Sequence, residues 1–275
     1  MTTGRGDSGQ PRNQDILDSL EQIARIEALR RRISQSSFNP IDLSIPSVPE
    51  PESPPRAPRS FTLGADPEFE IIDREGNLVP ASSVLSNGTS GQLGTDGNSS
   101  TGEIRPSFGT ADDVYNSINQ LITRASQDLA NSQLFVISGA GRHVTLGGHI
   151  HFGGLRENRE LISALDRLIA QPLRSISNNY IRESHGYGRL GETRVQPHGW
   201  EYRAPCSWLS HPRITKGVLK VAYWLGKRCI MNLTLDITTQ QLCTWVKEQD
   251  AEDGKTVQLF YDVISKMYTS GYKLE

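Results

Sequence analysis

Three short segments, far apart in the chain, each place polar side chains two residues apart between apolar ones. They are Ala65-Asp66-Pro67-Glu68-Phe69-Glu70, Gly148-His149-Ile150-His151-Phe152 and Trp200-Glu201-Tyr202-Arg203. A period of two belongs to the β-strand, in which residues i and i+2 share a face. Each segment therefore turns its polar set to one side and its apolar set to the other. As neighbours in one sheet they would gather carboxylates, two imidazoles and a guanidinium on one face and build a core with the other. Such a polar face is the equipment of a divalent-metal and phosphate site.

The rest of the chain limits what such a sheet belongs to. Its 275 residues suffice for one large domain with an appendage. A net charge of −2 gives no general attraction to nucleic acid or membranes, and neither is expected as a partner. No apolar run approaches the roughly 18 residues of a membrane span, and the N-terminus lacks the apolar core of a secretory signal. Cys206, Cys229 and Cys243 are odd in number and not spaced as a metal knuckle. They read as reduced thiols of a cytoplasmic protein, or of a virus replicating in a host cytoplasm.

Residues 1–58 read as a tail. Between Asn13 and Ile33 the apolar residues Ile16, Leu17, Leu20, Ile23, Ile26 and Leu29 recur at helical spacing, ending at Arg30-Arg31-Arg32. A proline-rich linker follows from Asn39 to Pro58. The helix either folds back on the domain or serves as a peg for docking or homo-oligomerisation. Residues 59–275 read as the globular, catalytic domain. Strands are expected from Phe61 to Asp73, Leu78 to Ala81, Glu103 to Arg105, Leu134 to Ser138 and Val144 to Phe152, and again before Arg203. Between them, Gly91 to Gly102 reads as a loop, and Gly186 onward as a Gly- and Arg-rich loop. Helices are expected from Thr110, with Asp113 completing its cap, from Glu157 to Ile181 with a kink at Pro172, and from Pro212 to Met231. One or two more follow. Val114, Ile118, Leu121, Ile122, Ala125 and Leu129 form the expected buried stripe of the first. Long helices between irregularly spaced strands predict an α+β fold: a curved, mostly antiparallel sheet with helices packed on one face.

Each candidate site residue also has a plainer reading. Asp66, Glu68 and Glu70 fit the wet face of an antiparallel strand, but three carboxylates within five residues repel one another unless a cation lies between them. His149 and His151 sit between two glycine pairs, which leaves room for a substrate or a second backbone. Glu201 and Arg203 fit a surface ion pair, and Asp96 and Glu103 fit the two ends of a turn-rich loop. Arg105 repeats the pairing two residues after Glu103. Arg182, Arg189 and Arg194 lie among Gly186, Gly188 and Gly191, as solvated loop residues or as guanidiniums presented to phosphates. One mixed face explains all of them together. Its oxygen-rich donors point to Mg²⁺ or Mn²⁺. There is no G-x-x-x-x-G-K-[ST] loop and no G-x-G-x-x-G after a strand, so a nucleotide would be held by metals and arginines.

The order of these motifs resembles the glutamine-synthetase-like carboxylate–amine ligases, above all the phage-type amidoligases (COOH–NH₂ ligase type 2). The similar pieces are Gly64-Ala65-Asp66-Pro67-Glu68-Phe69, Asp96-Gly97 with Glu103, Gly147 to Gly153, Tyr187-Gly188-Arg189-Leu190-Gly191, and Gly199 to Pro205 with Ser207-Trp208-Leu209. The resemblance implies metal ligands at Asp66, Glu68, Asp96, Glu103, His149 and Glu201, with His151 close to substrate or phosphate. It implies that Arg203 meets the transferred phosphate and that Arg189 and Arg194 contact nucleotide phosphates. It also implies ATP and Mg²⁺ or Mn²⁺ as cofactors, small-molecule or peptide carboxylates and amines as substrates, and amide formation through an acyl phosphate. Glu70 departs from glutamine synthetase, as a further ligand or an exposed residue. A metal-dependent hydrolase, or a non-catalytic virion or structural protein retaining the fold, are the competing readings.

Overall fold

The computed structural model describes residues 61–85, 91–129 and 132–274. The expected tail helix, the proline-rich linker and the boundary at residue 58 lie outside the described residues.

The long strand β1 (Thr62–Ile72) organises the sheet. After it come β2 (Leu78–Val79), β3 (Leu93–Thr95), β4 (Thr101–Ile104), helix α1 (Ala111–Asp128), β5 (Phe135–Ile137) and β6 (Gly148–Gly153). Then follow α2 (Arg159–Leu165), a π-helical turn (Asp166–Ala170), α3 (Gln171–Ser175), α4 (Tyr180–Ser184) and the hairpin of β7 (Thr193–Gln196) and β8 (Gly199–Tyr202). Helices α5 (Pro212–Ile230), α6 (Thr239–Gln249) and α7 (Ala251–Ser270) complete the described chain. The main sheet runs β3-β4-β1-β6-β8-β7, with β2 and β5 also paired to β1. Every strand pair is antiparallel. The α+β class is therefore as expected.

β1 pairs with β6 from Thr62 to Pro67 and with β4 from Glu68 to Glu70. Pro67, which has no N–H, falls at the changeover. The alternation of β1, β6 and β8 then sorts the side chains. Leu63, Ala65, Phe69 and Ile71, Ile150 and Phe152, and Trp200 and Tyr202 are buried in one core with the helices. Phe152 and Trp200 stack with ring centroids 4.6 Å apart. Helix α5 packs on α1 and on α7. Thr110 and Asp113 form a reciprocal capping box that starts α1.

Several expected boundaries move. The Gly91 to Gly102 loop contains strand β3. Residues 144–147 do not extend β6, because their loop is tied elsewhere, as described below. Ile122 is 40% exposed and leaves the stripe to Ile118, Leu121 and Ala125. The helix expected from Glu157 to Ile181 is broken. It passes through the π-turn, Pro172 contributes no N–H, and Ile176 leaves helical geometry at φ −109°. The Asn179 side chain then donates to the carbonyls of Arg174 and Ser177, closing that end.

Candidate active site

Strand register assembles the polar face. Gly64, His151, Glu201 and Arg194 form one row across β1, β6, β8 and β7. Asp66 lies opposite His149 in the next row, and Glu68 lies opposite Glu103 on β4. Opposed residues in an antiparallel pair point to the same side, so segments remote in sequence share one surface.

Two groups of ligand-type atoms result, each within 4.8 Å of one another: Glu68, Asp96 and Glu103, and Asp66, His151 and Glu201. In the first, Glu68 and Glu103 are buried, at 2% and 4% exposure, and Asp96 is exposed. Glu68 Oε2 accepts the Gly147 N–H at 2.6 Å, while Glu68 Oε1 is buried without a donor. Burial, and then the neighbouring Asp96, Glu103 and Asp66, push the Glu68 carboxyl up to about 9 against the pull of the Gly147 N–H. Burial and the negative Asp66 push Glu103 up to about 8, although Arg105 pairs with it and opposes the shift.

The second group has cations around it. Glu201 is fully buried. Its Oε2 accepts from Arg194 Nε and Nη2 at 2.7 and 2.6 Å and from Gln196 Nε2 at 2.7 Å, and its Oε1 accepts from Arg203 Nη1 at 2.7 Å. His149 Nδ1 lies 3.2 Å from both Asp66 Oδ1 and Glu201 Oε1, and His151 Nε2 lies 3.1 Å from Asp66 Oδ2. Burial pushes Asp66 up, but the two imidazoles outweigh it and hold its carboxyl well below the usual range. Burial draws His151 down, and the Asp66 contact raises it further than that. The grouping sets His151, expected beside substrate, with Asp66 and Glu201, and leaves His149 adjacent to the same carboxylates.

The other expected residues divide. Arg194 and Arg203 reach the cluster through Glu201. Arg189 is exposed, folds its guanidinium over Gly186 and donates its backbone N–H to Glu192, and the structure does not join it to the carboxylates. Glu70 is neither exposed nor a free ligand. It is fully buried, and its two oxygens accept the N–H groups of Arg142, His143 and Val144 at 2.9, 3.0 and 3.1 Å. That triple contact holds the loop before β6, whose Gly147 serves Glu68.

Sequence reasoning placed Tyr187 in a motif but gave no role to its side chain, whose hydroxyl is 2.8 Å from His149 Nε2. It also missed Gln196, which follows Arg194 by one strand period, and His198, whose ring stacks on His151 at 5.3 Å. Beside the second group opens a cleft of about 540 Å³, lined in part by Gly64, Asp66, Arg105, Phe108, His151 and His198. Phe108 stands 76% exposed in its wall.

The residues fit divalent cations. Hard oxygen donors with imidazole nitrogen suit Mg²⁺ or Mn²⁺. The buried, donorless oxygen Glu68 Oε1 is an acceptor that the protein itself leaves unfilled.

A family model described as "Phage phiEco32-like COOH.NH2 ligase-type 2" matches residues 63–247. No curated protein matches the chain. Among solved structures, a Plasmodium falciparum glutamine synthetase has 13% identity and a TM-score of 0.39, over 61% of this chain and 51% of that one. A bifunctional glutathione synthetase from Pasteurella multocida has 11% identity and a TM-score of 0.46, over 77% and 47%. A glutamine synthase homolog has 15% identity and a TM-score of 0.43, over 76% and 66%. The chain thus spans between 47% and 66% of the length of these structures.

Proposed function

The chain belongs to the phage phiEco32-like COOH–NH₂ ligase type 2 family, a family of carboxylate–amine ligases, and we propose that it joins a carboxylate to an amine with ATP through an acyl phosphate. In this reading it is phage-encoded and works in the host cytoplasm. The observation that carries the reading is the pair of cation-ready groups side by side on one sheet face, with two guanidiniums already clamped to Glu201.

Glu68, Asp96 and Glu103 would hold one divalent ion, and Asp66 and Glu201 with an imidazole of His149 or His151 another. When bound, such ions neutralise phosphate oxygens and align them for transfer. Arg203 and Arg194, at 2.7 and 2.6 Å from Glu201, are the guanidiniums at hand for charge building on the phosphoryl group. The cleft beside Asp66 and His151 offers room for a nucleotide, with Phe108 as a flat apolar wall and Arg105 as a cation. A substrate carboxylate oxygen attacks the γ-phosphorus and ADP leaves. The amine nitrogen then attacks the acyl carbon and phosphate leaves. No protein nucleophile is needed in either step.

The test is a screen of acid and amine pairs for ADP release with Mg²⁺, followed by mass analysis of the joined product. ADP and phosphate released in step with a new amide support the reading. Cleavage of an amide or phosphoester without nucleotide would replace it with a hydrolase.

A further inference from the structure

Tyr187 belongs to neither group of ligand-type atoms, yet it touches side chains that serve the second. Its hydroxyl meets His149 Nε2 at 2.8 Å. Its ring carries the Arg182 guanidinium 5.2 Å from its centroid and the Arg203 guanidinium at 5.9 Å. Arg182 is 3% exposed and is tied to the Ala204 carbonyl at 3.3 Å. Gly186 and Gly188, at φ +65° and +70°, bend the chain on either side of the ring. Gly147 leaves open the place where a Cβ would press on both the Tyr187 hydroxyl and the His149 ring. The phenol is therefore held from several directions, with its oxygen fixed on one imidazole nitrogen.

We propose that Tyr187 is a positioning residue: its hydroxyl fixes the His149 ring through Nε2, so that Nδ1 faces Asp66 and Glu201. The inference rests on reading those carboxylates as a cation site. Nδ1 is 3.2 Å from both Asp66 Oδ1 and Glu201 Oε1, and the far nitrogen of the same ring is held by the Tyr187 oxygen. An imidazole nitrogen facing two carboxylates is an arrangement that suits a divalent ion, and a fixed partner on the far nitrogen is how such a ring is oriented. The same phenol ring lies against Arg203, so one side chain sets the direction of both the imidazole and the guanidinium that approach Glu201 Oε1.

The experiment uses Tyr187→Phe, which keeps the ring between the arginines and removes the hydroxyl. Nitrogen-15 NMR of the metal-free protein reads the His149 Nε2 signal, and calorimetry with Mn²⁺ alone reads the ion affinity. The variant shows a displaced Nε2 signal, a Mn²⁺ dissociation constant raised about tenfold or more, and a lower kcat with a nearly unchanged nucleotide KM. A His149 Nε2 signal unmoved in Tyr187→Phe overturns the assignment. So does Mn²⁺ affinity in Tyr187→Phe within about twofold of wild type. A clear shift in Mn²⁺ affinity in a protein that never releases ADP supports the role of Tyr187 and counts against the ligase reading.

Discussion

The two ligand groups sit side by side on one sheet face and meet opposite electrostatic fates. Glu201 is buried among guanidiniums and stays fully satisfied: Arg194, Gln196 and Arg203 all donate to it. Glu68 is buried almost as deeply with a single backbone donor, and one of its oxygens has none. Protein cations stand around the β8 end of the site, while the β4 end, apart from Arg105, leaves its negative charge for something else to balance. The difference teaches where a divalent ion has most to offer. At the Glu68–Asp96–Glu103 group it relieves a standing electrostatic cost, whereas at Glu201 it competes with arginines already in place.

The sharpest way to break that contrast is to remove one charge from each side. Glu201→Gln is expected to lower ADP release by at least about 10³-fold, the scale of losing a preorganised electrostatic partner. Because it strands the largely buried Arg203 guanidinium, it also lowers stability by about 3 kcal/mol. Glu68→Gln is expected to abolish turnover as fully but to raise the stability of the metal-free protein, by about 5 kcal/mol at pH 8, since it replaces an acid held near 9 with a neutral isostere. Denaturant midpoints and ADP release measured on both variants check this, and equal losses of stability would erase the distinction.

A pH series sharpens the same point. Glu68 and Glu103 have native values raised to about 9 and about 8 from 4.5. A raised carboxyl favours the native state most below its unfolded value, and that contribution is lost as pH climbs through the native value. The raised His151 acts in the same direction. The melting temperature of metal-free protein is therefore expected to fall from pH 5 to pH 9, and saturating Mn²⁺ to flatten the slope. A melting temperature rising over that range would contradict the picture of an unbalanced acidic group. The smallest effect concerns the opposite side of β6. A Cβ on Gly148 would come within 2.5 Å of the Trp208 ring, so Gly148→Ala is expected to cost about 1–3 kcal/mol in a melting experiment.

Much of the site was legible because a strand obeys a strict period. Once Asp66, His149 and Glu201 were placed on strands, their shared face with Glu68, His151 and Arg203 followed, and so did the burial of Ile150, Phe152, Trp200 and Tyr202. The α1 cap was legible in Thr110 and Asp113 for the same local reason. The fate of Glu70 was not, since its spacing is that of Glu68 and only a loop some seventy residues later supplies its three donors. Nor was the break near Ile176, which depends on a π-turn and on the Asn179 side chain folding back.

The amino-acid sequence alone determined which side chains lie on the same side of each strand, because alternation is a property of the backbone and needs no partner. Tertiary structure decided which strands became neighbours, and so which carboxylates met arginines and which met only one another. That outcome turns on burial and on charges brought together from distant segments, and neither quantity exists until the chain has folded.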